Sequence, residues 1–213
     1  MRYRAKMSIM NEELRAVDGS PLAPESLQML EYLRKRSAEM DAAAIRARLS
    51  TAARDLEEAV AAVSADDARK RPFSGKWTIA EVVDHMAQTN VRAAEELRHL
   101  VAGRRPPLPP VYEALRSGAG QWAPWDLLVE ELRAANRSMV EAIASASDVT
   151  TYEPEPTVRT VMVALRTGAD NKKEPQIFFT ELLWKEYALL QRLHLLDHRR
   201  QIKELRTASA AAG

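Results

Sequence analysis

Along most of this chain apolar residues recur at intervals of three and four, the spacing that lines one side of a helix. Residues 41–64 place Ile45, Leu49, Ala52, Leu56, Val60 and Val63 on one stripe, with Asp41 ahead of them as a cap. A shorter stripe of Leu27, Leu30 and Leu33 follows Pro24, a residue that the first helical turn accepts. After a break at 65–77 containing Pro72 and Gly75, Thr78 and Glu81 form the T-x-x-E capping box, with Trp77 and Val82 at the staple positions. The pattern predicts helices over about 78–102 and 125–146. Pro154, Pro156 and Gly168 argue against a regular element at 152–171, and Pro175 opens a last helix expected to reach about residue 207.

These elements predict an all-α protein. Residues 1–40 form an N-terminal arm and short helix, 41–207 a four-helix bundle, and 208–213 a flexible tail. The connection between the second and third bundle helices has 22 residues (103–124). Extended, it spans roughly 70 Å, against about 38 Å for the second helix. It can return along the bundle, and an up-down-down-up topology with a long crossover is then allowed. In that arrangement the starts of the second and third helices and the end of the fourth share one pole.

Composition narrows the chemistry. The chain has 213 residues, a net charge of +1 and no cysteine. The near-neutral balance gives no general attraction to nucleic acid or an anionic membrane, and a small-molecule ligand is the expected partner. Lack of cysteine removes disulfides, thiolate ligands and a thiol nucleophile. No apolar run reaches the roughly 18 residues of a membrane span, and none suited to a signal peptide follows the first residues, which makes a cytoplasmic location the expectation.

Of four histidines, His194 and His198 stand four apart on the last predicted helix. Residues at that spacing lie one above the other, so two imidazoles can converge on one ion. On a helical wheel they share a stripe within roughly 40° with Leu183, Tyr187, Leu190, Gln201 and Leu205, and so point inward. His85, at the same expected pole, is the candidate third ligand. It stands on a polar face with Glu81, Gln88, Thr89, Arg92 and His99, bordering a polar cavity or solvent. His99, about 21 Å further along that helix, cannot share the ion. A hydrogen-bonded pair of core histidines is the competing account of the same spacing.

The block Gly75-Lys76-Trp77-Thr78-Ile79-Ala80-Glu81-Val82-Val83-Asp84-His85-Met86, with His194-x-x-x-His198-x-x-Gln201-Ile202 far downstream, resembles the DinB-like (YfiT-like) superfamily of metalloenzymes. The resemblance covers about residues 41–206, and departs from the usual pattern in the N-terminal extension and at 152–171. It implies a four-helix bundle whose second helix carries one ligand and whose fourth carries the pair, here His85, His194 and His198. It also implies a divalent ion, commonly zinc, nickel or iron, and a low-molecular-weight thiol as co-substrate of an S-transferase or isomerase acting on a small electrophile. A hydrolase using metal-bound water and a non-catalytic helical binding or damage-response protein are the alternatives. The sequence assigns no catalytic or thiol-binding residue.

Several neighbours carry a chemical and a structural reading together. Gln201 can orient a ligand or end the helix, Arg92 can meet a substrate anion or solvent, and Glu81 can act as a base or as the cap. Trp77, Trp122 and Trp125 fall at the metal pole or in the packing around it. Finally, Leu182, Leu189, Leu193 and Leu196 fall roughly 100–160° from the histidine stripe. Such a second apolar side needs a cover, either the N-terminal helix or, as expected here, the matching face of a homodimer.

Overall fold

The computed structural model describes residues 14–111, 113–149, 152–167 and 170–211. Six helices and a two-stranded antiparallel sheet make up these residues. Helix α1 spans Pro24–Glu39, α2 Ala42–Ala61, the single turn α3 Ala65–Arg69, α4 Ile79–Val101, α5 Trp125–Glu141 and α6 Trp184–Ala211, while β1 is Val158–Thr167 and β2 Lys173–Leu182. Residues 1–13 of the expected N-terminal arm and 212–213 of the expected tail lie outside the described residues. Helix α6 continues four residues past the expected end at 207.

The cap signals act as their chemistry requires. Asp41 accepts from the Ala44 amide at 2.6 Å. At α4, Glu81 accepts from the Thr78 amide at 2.8 Å while the Thr78 hydroxyl accepts from the Glu81 amide at 3.2 Å. Burial alone would raise the Glu81 carboxyl; the Thr78 amide and Arg71 outweigh it, so the group sits below its ordinary value.

Helices α2, α4, α5 and α6 pack as a ring of neighbours around one core that runs from Leu30 to Leu205. Side chains at their ends give the directions. The Trp125 indole, at the start of α5, donates to Val63 O beyond the end of α2, and Arg46 near the start of α2 reaches Ala144 O beyond the end of α5. Late residues of α4 and α5 meet through Arg98 and Ser138, and their middles through Asn90 and Asn136. Lys185, at the start of α6, bonds Met40 O just before α2, and Arg199 pairs with Asp55 further along it. So α2 and α5 are antiparallel, α4 and α5 parallel, and α6 runs with α2.

The all-α expectation fails at the hairpin. Residues 158–167 alternate in burial, with Val158, Met162 and Ala164 inward and Arg159, Val163 and Leu165 outward. That period of two, with valine and threonine at half its positions, is a strand signal that the flanking prolines and Gly168 obscured. Pro175, expected to begin the last helix, lies in β2 opposite Leu165, and the helix starts nine residues later. Gln176 fixes the hairpin to α1 by accepting from the Ala23 amide at 2.8 Å and the Ser26 hydroxyl at 2.7 Å.

Helix α1 packs on β1 and α6. Leu182 and Leu189 are buried within the single chain, and Leu193 and Leu196 are half-buried. The apolar side that suggested a second subunit is thus largely covered already. No helix among the described residues is long and apolar enough to cross a membrane.

Candidate metal centre

Three helical positions converge at one place. His85 comes from the second turn of α4, and His194 and His198 from successive turns of α6. Nε2 of His194 lies 3.3 Å from Nε2 of His85 and 2.9 Å from Nε2 of His198. One nitrogen from each ring can be chosen so that all three lie within 4.8 Å of one another, and among the described residues this is the cluster able to hold an ion.

On two of the three rings the opposite nitrogen is occupied. His85 Nδ1 donates to Leu115 O at 2.9 Å, with the Thr89 hydroxyl 3.4 Å away, and His198 Nδ1 donates to Gln201 Oε1 at 2.8 Å. A carbonyl can only accept, so each of these rings carries its proton on Nδ1 and turns an Nε2 lone pair toward His194. His194 can supply at most one proton to satisfy them. Neutral rings leave lone pairs facing one another, an arrangement that a cation completes. Zinc–imidazole bonds of about 2.0–2.1 Å in a tetrahedral array separate the nitrogens by roughly 3.3 Å, so the donor set fits a divalent ion.

The electrostatics keep the rings neutral. Burial, then the neighbouring His198 and His85, hold His194 well below the ordinary histidine value. Burial and His85 bring His198 down to about 4 against the opposing pull of Gln201, and His85 is lowered by burial and Arg116 against the Leu115 carbonyl. Neutral imidazole is the ligating form.

The Leu115 carbonyl reaches His85 because the long crossover is tied down beside it. Buried Asp84 accepts from the Ser117 amide at 3.2 Å, the Ser117 hydroxyl at 2.7 Å and the Gly118 amide at 3.0 Å. Gly120 then lies so close to α4 that a Cβ there would be 2.8 Å from Ala80 O. Asp84 was legible as part of the motif block, but its neighbourhood to His85 gave no sign of a partner thirty residues away.

A cleft of about 430 Å³ opens on the cluster, lined by α4, α6, β1, the crossover and Met29 of α1. Trp77 lines it, with its ring 5.1 Å from that of His85. Trp122 is exposed, and Trp125 serves packing through its bond to Val63. Arg92 does line the cleft, where it pairs with Glu96 at 2.6 Å. Glu81 stays in its cap, paired with Arg71 at 2.9 Å, and His99 is absent from the cluster. Glu96 carries no signal in the sequence, and Tyr187 reads there as one member of an apolar stripe. Their shared polar wall needs α4 and α6 to be docked before it is visible.

Four core helices, two of which line the histidine cleft, define a helical-bundle class with three converging imidazoles. The family model described as the DinB superfamily matches residues 48–169, more than half of the chain, and the chain belongs to that superfamily. The matched stretch contains His85 and ends before His194 and His198. Among solved structures, the chain is similar to YfiT from Bacillus subtilis, described as "a probable metal-dependent hydrolase with an unusual four-helix bundle topology". That likeness has 15% identity and a TM-score of 0.48, over 76% of this chain and 83% of that one. No curated protein matches.

Proposed function

We propose that this protein is a divalent-metal-dependent enzyme in which His85, His194 and His198 hold the ion and a low-molecular-weight thiol attacks a small electrophile in the adjoining cleft. The observation that carries the metal reading is the convergence of three Nε2 atoms whose Nδ1 partners are already in place on His85 and His198. An up-down-down-up order of α2, α4, α5 and α6 accords with the end-to-end contacts and brings the ligands together from opposite parts of the chain. Bound there by three neutral ligands, a zinc, nickel or iron ion would acidify a coordinated water or ionise a thiol.

The chain's own residues supply the rest. Gln201 and Leu115 hold two rings in the ligating tautomer, and Trp77 shields one side of His85 from water. The 430 Å³ cleft suits a small organic molecule, and β1 closes one wall of it with Met162 and Val161. With no cysteine in the sequence, the nucleophilic sulfur would arrive with a co-substrate.

Elemental analysis of reconstituted protein should give about one divalent ion per chain. His85→Ala should lower affinity for the ion at least 100-fold, and His99→Ala should leave it within twofold. Turnover of small electrophiles should require added thiol. Turnover with water alone would replace the thiol reading by a hydrolase, and failure to take up any ion would remove the enzyme reading altogether.

A further inference from the structure

One wall of the cleft holds a polar chain that metal binding does not use. Gln191 precedes His194 by three residues, one turn back along α6 and roughly 4.5 Å along its axis. It is 6% exposed and lines the cleft, yet its Oε1 has no hydrogen-bond partner among the described residues. Buried amide oxygens are rarely left in that state, because the bond to water lost on folding is not replaced.

The neighbouring groups fix which end of the amide is free. The buried Tyr187 hydroxyl donates to the Glu96 carboxylate, which also accepts from Arg92 at 2.6 Å. Having given its one proton to Glu96, the phenol oxygen can only accept from the Gln191 amide, which opposes the rise in the phenol's pKa as a donor would. Gln191 Nε2 therefore faces Tyr187, and the oxygen is left over. Reversing the amide would set two acceptors, Oε1 and the phenol oxygen, against each other.

We infer that Gln191 is a specificity residue: its Oε1 accepts a hydrogen bond from an N–H or O–H on the organic part of the molecule bound in the cleft, one helical turn from the histidine cluster. This rests on the metal reading of that cluster. The Arg92–Glu96–Tyr187 chain acts as its support, holding the amide so that the acceptor needs no reorganisation when the ligand arrives. The ligand class is a small molecule whose reacting atom and a donor such as a secondary amide are separated by a short spacer. An isostere lacking the donor leaves the oxygen unpaired and is rejected.

The test uses the full chain loaded with cobalt(II), whose absorption reports both the imidazole ligands and an added thiolate. The probes are 2-acetamidoethanethiol, its three-carbon homologue, and the N-methylated form of each, which lacks the N–H. Wild type should bind at least one amide thiol about tenfold more tightly than its N-methylated form, the effect of one hydrogen bond. Gln191→Met should abolish that preference while leaving cobalt affinity and the N-methylated thiols within twofold. Normal cobalt uptake with no amide preference in wild type, or equal losses for both thiols in Gln191→Met, would overturn the inference and leave the metal site standing. Failure of wild type to bind cobalt or any of the thiols would overturn it too, and in the cobalt case the metal reading with it.

Discussion

A histidine offers one nitrogen to an ion cleanly only when another group holds the proton on its second nitrogen. Gln201 does this for His198 at 2.8 Å. Gln201→Leu should therefore weaken metal binding about 10- to 100-fold without changing its stoichiometry, measured by competition with a chromophoric chelator. The low value of His198 also sets a pH dependence. Its folded value of about 4 lies below the ordinary 6.5, so the unfolded chain binds the proton more readily. Stability of metal-free protein should be fully present above about pH 6.5 and decline as the pH falls toward 4, by on the order of 3 kcal/mol from this residue. His85 and His194 act in the same direction. Melting temperatures between pH 7 and 4 check this, and His198→Gln should flatten the profile. A slope of opposite sign would mean that the rings are charged in the folded state.

At the scale of the element, helices were readable wherever a stripe and a cap coincided. Thr78 and Glu81 define the start of α4 within a residue, because both partners of the capping box lie in the same short stretch. The hairpin was not readable by the same means. Its inward residues, Met162 and Phe178 among them, are specified by a core built from distant helices, and Pro175 satisfies a helix start as well as a strand position. The crossover shows the same limit, since what places it is a close approach rather than a pattern. Gly120→Ala puts a methyl group against the backbone of Ala80 and Glu81, neither of which can yield like a flexible side chain. It should cost about 1–3 kcal/mol, read as a lowered denaturation midpoint with an unchanged m-value. Wild-type stability would show that α4 and the crossover can separate freely.

For the whole molecule, the convergence of the three histidines was legible because histidines are few and their helices strongly patterned. The burial of the last helix was not, because a wheel cannot tell which neighbour covers a face. Leu189, on the side that called for a second subunit, is 2% exposed in one chain. Leu189→Glu should therefore cost at least about 3 kcal/mol and unfold a large share of the protein, seen as lost helical circular dichroism. A well-folded variant of smaller size in light scattering would instead favour the dimer.

His85 and His194 are 109 residues apart in the chain, whereas His194 and His198 share adjacent turns. Bringing the distant pair together from a flexible chain carries a loop-closure entropy of about 4 kcal/mol. The unfolded polypeptide could offer an ion only the local pair, and the proposed third ligand arrives when the crossover and hairpin are in place. On the proposed metal reading, ion capture would be a late event in folding, and a bound ion would act as a latch whose grip measures completion of the tertiary structure.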